Sequence, residues 1–415
     1  MEMRKVFFSL CVICYSVYAD STLRLVNLVY RHGDRSPIVI YPTDPNGIDN
    51  WPQGLGWLSK IGIQQQYRLG QWLRQRYFID TKFMNTSYNR EEISVTSSDE
   101  DRCLMSAYSN LAGLYPPTED EQFDPDVKWQ PIPVFTKPEK EDNMLNMGQD
   151  CPRYTELFDE TLKSHAVQAE EQENKAFYKF LGEKTTWNHE NISNIWKIAD
   201  TTVCEKAHNL TLPSWLSDTV YKRLRILEAY QFTLMFNGTE KSMLKGGPLL
   251  SEFIYNMMLT VNRPTFAKVK MFMYSAHDTT VAALLSALGL YDKKSPQYTA
   301  MVIAELHENP TGKFYVNLFY KNVTDDPTAH LLTLPNCVEN CPIEDFIRLT
   351  KDAVPTSWLT QCQVPNSSSS SFTLATGWIV SIVLGAILCI LLIVVIVYYI
   401  RVRRNKDIAF RKFDM

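Results

Sequence analysis

The chain is poor in histidine, with seven among 415 residues, and neither these nor its nine cysteines stand at spacings that would hold a metal ion. It has no excess of positive charge: 42 basic against 46 acidic side chains leave a formal net charge of −4. That balance excludes the broad electrostatic footprint of a nucleic-acid binder and makes any arginine cluster a local feature. No internal repeat is visible, so solenoid and propeller architectures are set aside. With 45% hydrophobic residues, a chain of this length can build a large core and more than one domain.

Both ends are directed at a membrane. Arg4 and Lys5 precede an apolar stretch from Val6 to Tyr18, and Val17-Tyr18-Ala19 has the small-residue form of a cleavage site. This predicts a signal peptide over 1–19. Residues 374–400 carry no charge over a length that exceeds the ~20 residues needed to span a bilayer as a helix. Arg401, Arg403, Arg404 and Lys406 follow, so the positive-inside bias places the tail, 401–415, in the cytosol. The expected arrangement is a single-pass type I membrane protein with a mildly acidic lumenal or extracellular part. Asn85, Asn191, Asn209, Asn237, Asn322 and Asn366 each begin an Asn-x-Ser/Thr acceptor, which in a secretory chain predicts a glycosylated surface. Cys11 and Cys14 lie in the signal and Cys389 in the membrane segment. The other six cysteines face oxidising conditions, where Cys337 and Cys341 are close enough to pair and the rest stay open.

Between the ends, apolar strands alternate with helical patterns over 20–136 and again over 237–365, and this predicts an α/β domain. Strand signals fade and charge rises over 137–236, which reads as an inserted, smaller helical cap domain. A serine-rich stalk, 366–373, precedes the membrane. Three segments repeat one plan, an apolar strand, a polar cluster and a helix. The clusters are Arg31-His32-Gly33-Asp34-Arg35, then Asp99-Glu100-Asp101-Arg102, then His277-Asp278. Such alternation predicts a mostly parallel sheet flanked by helices, whose ligands sit beyond the carboxyl ends of the strands.

If the clusters converge, one pocket holds Arg31, Arg35, Arg102, His32, His277 and Asp278. Three guanidiniums repel one another unless an anion is present, and their planar forks match a tetrahedral oxyanion, so phosphate is the expected guest. Gly33 would let the backbone come close to it. Each residue also has a plainer reading. Arg102 alone is a salt-bridged surface arginine, His277 alone a structural histidine, and Asp278 a helix N-cap before TTVAALL. His165, His189, His208 and His330 have no such context and are expected at the surface.

Arg31-His32-Gly33-Asp34-Arg35-Ser36-Pro37 fits the R-H-G-x-R-x-P signature of the histidine acid phosphatases. WPQGLGWLSKIGIQQQYRLG, SSDEDRCLMSAYSNLAGLYPP and Ala276-His277-Asp278 resemble later segments of the same family, in particular its membrane-anchored lysosomal and prostatic types. The resemblance spans nearly the whole lumenal part. It implies a phosphoglycerate-mutase-like fold and an acid phosphatase that hydrolyses phosphate monoesters through a phosphohistidine intermediate, with no cofactor. His32 would be the nucleophile and Asp278 the general acid. Arg31, Arg35, Arg102 and His277 would bind the phosphoryl group. An acidic optimum would follow from an aspartate acid, which ordinarily titrates near pH ~4.

The resemblance also implies disulfides Cys151–Cys362 and Cys337–Cys341. Cys204 would lack its usual partner, which falls near Met301, and Cys103 would stand in place of a threonine. Pairing those two would draw the insert onto the active-site edge, so two free thiols are expected. The family often dimerises, and it works in the lysosome or at the plasma membrane. Three other functions compete with this one, the last of them a protein-phosphotyrosine role at the cell surface. Inositol polyphosphate and phytate phosphatases share the signature, but many carry His-Ala-Glu where this chain has His277-Asp278. A catalytically silent surface ectodomain would have lost an essential group, and none is lost here.

Overall fold

The computed structural model describes residues 22–187, 191–323, 326–364 and, within 387–401, all but 389 and 399. The expected signal peptide, the stalk with Asn366, residues 374–386 of the expected span and 402–415 of the tail lie outside the described residues, as does His189. Positions 387–401 are helical wherever they are described and belong to a unit of their own. Among the described residues no helix is long and apolar enough to cross a membrane.

In chain order the elements are β1 (Leu23–Arg31), α1 (Lys60–Arg74), β2 (Ile93–Ser98), α2 (Asp101–Leu114), β3 (Phe135–Lys137), α3 (Pro152–Leu162), α4 (His165–Thr185), α5 (Ile195–Ala207) and α6 (Asp218–Phe236). There follow α7 (Thr239–Lys245), α8 (Gly247–Asn262), β4 (Met271–Ala276), α9 (Asp278–Ala287), β5 (Met301–Glu308), β6 (Phe314–Lys321), β7 (His330–Leu332), β8 (Cys341–Pro342), α10 (Ile343–Thr350) and α11 (Trp358–Gln361). One sheet runs β3-β2-β4-β1-β5-β6-β7, with β8 also on β6. It is parallel from β3 to β1 and antiparallel from β1 onward, and Asn309-Pro310-Thr311-Gly312 closes the hairpin between β5 and β6.

The strand β1 is a continuous apolar run because it is central and covered on both faces. The pleat divides its side chains. Leu25 and Val29 pack with Leu249, Phe253, Val281 and Leu284 of α8 and α9. Val26, Leu28 and Tyr30 pack with Leu69, Leu73 and Leu111 of α1 and α2. The result is a three-layer α/β/α core. The helices α4–α6 carry a separate small core around Tyr178, Leu181, Ile195, Ile198 and Leu224. The first strand pairing of the segment expected as insert is still with the main sheet, since β3 runs alongside β2 and ends at Lys137.

The disulfides are Cys151–Cys362, which ties the start of α3 to the end of α11, and Cys337–Cys341. Cys103 and Cys204 are free and buried. Asn85, Asn191, Asn209 and Asn237 are exposed, whereas Asn322 is half-buried and its Oδ1 accepts from the Gln297 N–H.

Candidate active site

The parallel strands β2, β4 and β1 are immediate neighbours and end at one edge. Arg31 lies opposite Ala276, and Ser97 opposite Ser275. The three polar clusters therefore meet, although they are far apart in the chain. Together they floor a cleft of about 440 Å³ lined by His32, Arg35, Glu100, Arg102, Asp200, His277 and Asp278, with an opposite wall from α5, α6 and the 146–148 loop.

His32 is 2% exposed, and its Nδ1 lies 2.8 Å from the Gly33 carbonyl oxygen. A carbonyl only accepts, so Nδ1 carries the proton and Nε2 keeps its lone pair. Burial, and then Arg31, Arg35, Arg102 and His277, hold the ring well below the usual histidine range, so it stays neutral in acid. Gly33 serves a close approach within the chain. A Cβ there would sit 2.4 Å from the Gly62 carbonyl oxygen, so the glycine lets the loop press against the first turn of α1.

Each arginine has a carboxylate. Arg31 Nη2 is 2.8 Å from Asp278 Oδ2. Arg35 grips Asp200 with both terminal nitrogens, at 2.9 and 3.0 Å. Arg102 Nη1 donates to Glu100 at 2.9 Å. The mutual repulsion expected of three guanidiniums is thus relieved by these acids before any anion arrives. Each of the three still has a buried Nε–H without a partner among the described residues. Arg31 also donates to the Pro296 carbonyl at 2.7 Å and lies over the Tyr298 ring, which fixes its direction.

His277 is the N-cap residue of α9, and Asp278 is its first helical residue rather than the cap. The Arg102 guanidinium can only donate, so His277 Nδ1, 3.5 Å away, accepts and Nε2–H points to Ser98 Oγ at 3.0 Å. Burial, followed by Arg102, pushes this ring down to about 3. Burial pushes Asp278 up, but Arg31, Arg35, His277 and the Thr279 N–H outweigh it and hold the carboxyl below its usual range. These partners favour the ionised form of Asp278, contrary to an acid resting near pH ~4.

The helix α5 reaches this edge and ties it down. Besides gripping Arg35, Asp200 accepts from the Ile38 N–H at 3.0 Å. Cys204 Sγ lies 3.7 Å from Arg35 and 3.5 Å from Tyr298 OH. Cys103 Sγ is 3.7 Å from both ring nitrogens of His277. Burial pushes both thiols up, so neither is a thiolate nucleophile. Helix α5 touches this edge without any Cys103–Cys204 bond. His208, expected at the surface, is half-buried instead: Nε2 meets Asp34 Oδ2 at 2.7 Å and the ring packs against Trp51. His165 and His330 are exposed. Asp200, Glu228, Gln231 and Trp196 were not singled out from the sequence, yet they line the cleft.

Glu205 makes a further tie. It is buried, accepts from Asn46 Nδ2 at 2.5 Å and is held above the usual carboxylate range by burial and by Asp44. The native state then keeps a proton that the unfolded chain releases above about pH 4.5. This contribution is fully present in acid and is lost as pH rises through the raised value. Glu205→Gln, which fixes the neutral form, should flatten the fall in melting temperature between pH 5 and pH 8. An unchanged slope in thermal unfolding would refute the protonated pair.

Residues 22–321 match the family model of the histidine phosphatase superfamily, branch 2. Bovine (Bos taurus) lysosomal acid phosphatase is 41% identical over 387 residues, covering 92% of this chain and 89% of that protein. Human (Homo sapiens) prostatic acid phosphatase is 40% identical over 350 residues, covering 83% and 89%. Among solved structures, Hafnia alvei phytase in complex with tartrate superposes with a TM-score of 0.64 at 16% identity, covering 84% of this chain and 100% of that one. Citrobacter braakii phytase gives 0.63 at 18%, covering 83% and 100%. At such identities the two phytases share the fold alone.

Proposed function

The chain belongs to branch 2 of the histidine phosphatase superfamily, and on that premise we propose that it is an acid phosphatase hydrolysing phosphate monoesters through a phosphohistidine on His32. The observation that supports this reading most is the meeting of an unprotonated His32 nitrogen with three arginines, each of which has a buried Nε–H to spare.

Arg31, Arg35 and Arg102 take the non-bridging phosphoryl oxygens and stabilise the charge that grows on them in the transition state. His32 Nε2 attacks phosphorus while the bond to the leaving oxygen breaks, and Asp278 gives that oxygen its proton. His277 steadies Arg102 and turns its Nε2–H from Ser98 to a phosphoryl oxygen. Water then attacks the phosphohistidine, Asp278 takes its proton, and phosphate leaves with His32 regenerated. The proton on Asp278 arrives with the substrate. A phosphate monoanion competes with Asp278 for Arg31, which lets the carboxyl pKa rise and accept the monoanion's own proton. Because that proton is lost near pH ~6, the acidic optimum belongs to the enzyme–substrate pair rather than to a free aspartic acid.

We place this activity in an acidic lumen such as the lysosome, or at the cell surface, with the catalytic part anchored by 374–400. The lysosomal relatives support the first location. The exposed Asn85, Asn191, Asn209 and Asn237 would carry glycans, with Asn322 less accessible. The test is turnover of p-nitrophenyl phosphate and of phytate near pH 5 in the presence of a chelator. Chelator-resistant hydrolysis of the aryl ester, with phytate far slower, is expected. Preference for phytate would establish the inositol polyphosphate reading instead.

A further inference from the structure

Glu228, Gln231, Phe232 and Met235 follow the i, i+3, i+4, i+7 spacing of one helical face, and all four line the cleft from α6, across from the arginines. The polar groups on this face are acceptors. Gln231 is 7% exposed; its Nε2 donates to the Ser193 carbonyl at 2.8 Å, and its Oε1 is buried without a partner among the described residues. A buried, unused acceptor costs free energy unless a ligand supplies the donor. Glu228 is 8% exposed and bonded to Arg225 through Oε2. Arg225 lines a separate surface hollow and is not among the residues that line the cleft. The cleft's own cations, Arg35 and Arg102, are already committed to Asp200 and Glu100. Beyond the phosphoryl position the lining offers a carboxylate, an unpaired amide oxygen, the Trp196 and Phe232 rings and two methionines.

We infer that this face of α6 is a leaving-group subsite that selects phosphate monoesters of amino alcohols, with the substrate's ammonium received by Glu228, Gln231 Oε1 and the neighbouring aromatic rings. The inference rests on the phosphatase reading above and adds the substrate class. Carboxylates and aromatic faces attract an ammonium, and its N–H groups satisfy the amide oxygen. A leaving group bearing another anion meets Glu228, Asp200 and Asp278 instead. Burial holds Glu228 above the usual range, opposed by Arg225 on its own helix and reinforced by Asp200 of α5 and Asp278 of α9, with Arg31 of β1 acting the other way. The discrimination is therefore greatest toward neutral pH.

The experiment compares kcat/KM for O-phosphoethanolamine and for its uncharged counterpart, n-propyl phosphate, near pH 7, in the wild type, Glu228→Gln and Gln231→Leu. The ratio of ammonium to neutral substrate should fall about 10-fold in Glu228→Gln and several-fold in Gln231→Leu. A ratio unchanged in both variants, with n-propyl phosphate still hydrolysed, would overturn the subsite and leave the phosphatase reading standing. Wild-type protein that hydrolyses neither ester would instead overturn the phosphatase reading. Because the readout is a ratio within each variant, a variant that is only partly folded still reports.

Discussion

Replacing His32 with alanine should lower turnover of every phosphate monoester by at least ~10³-fold, whatever the leaving group. The expectation follows from the protonation state. Gly33 holds the Nδ1 proton, and burial beside Arg31, Arg35 and Arg102 keeps the ring neutral in acid, so Nε2 is a free nucleophile at a pH where an ordinary histidine would be an imidazolium. No other side chain in the cleft can replace it. His277 has its nitrogens on Arg102 and Ser98, and the thiols of Cys103 and Cys204 are protonated and buried. Inorganic phosphate should still inhibit any residual activity and raise the melting temperature, because the arginines remain. Rapid quenching of the wild type with labelled substrate should trap label that is stable in base and released by acid, as a phosphoramidate is, and the variant should trap none. Retained turnover in His32→Ala, or label carried by an acid-stable ester, would sink the mechanism.

Much of this site was legible because each of its parts ends a strand and opens a loop or helix. The apolar runs at β1 and β4 and the β-branched run at β2 gave the strands, and parallel strands bring their carboxyl ends to one edge whatever their separation in the chain. Arg31, His32, Arg102, His277 and Asp278 could therefore be placed together. The parts that were missed are the partners of those residues. Asp200 is 165 residues from Arg35, and in IWKIADTTVC it has the look of an ordinary helical acid. Its one signal is its setting, a charge among Ile195, Ile198, Ala199 and Thr202 on the buried side of α5. Glu228 and Gln231 belong to a helix rich in charge, where a cleft-facing acid cannot be told from a solvated one by periodicity. His208 was misread for the same reason, since the Asp34 it meets comes from another part of the chain. Gly33 was marked for close approach to phosphate, whereas its contact with the first turn of α1 was not legible, because it depends on how α1 docks. The antiparallel half of the sheet was visible only as a hairpin, because nothing in β5 says which side of β1 it will join.

Asp278→Asn should divide substrates by leaving group. For p-nitrophenyl phosphate, whose leaving phenolate is stable near neutrality, the variant should lose little in kcat/KM, which reports phosphoryl transfer to His32 and not the later hydrolysis in which Asp278 is the base. For alkyl phosphates, whose alkoxides must be protonated as the bond breaks, it should lose on the order of 10²–10⁴. The plot of log kcat/KM against leaving-group pKa, shallow in the wild type, should become steep. The wild-type dependence on pH follows from the ion pair. Arg31 at 2.8 Å holds the free carboxyl ionised and its pKa below the usual range, so the proton it donates comes from the bound monoanion. Alkyl phosphate turnover should then decline as pH rises through the substrate's second ionisation, near pH ~6, and should move with the substrate's pKa when a thiophosphate or fluorinated ester shifts it. Asparagine cannot take up that proton, so in the variant this limb should be lost and activity should follow arginine binding alone. It also frees Arg31 from its carboxylate, and inorganic phosphate should inhibit the variant at lower concentration than the wild type. If the variant slowed good and poor leaving groups equally, Asp278 would be a clamp for Arg31 rather than the acid. If this alkaline limb of the wild type stayed fixed while the substrate's pKa moved, the proton would have to come from the enzyme itself.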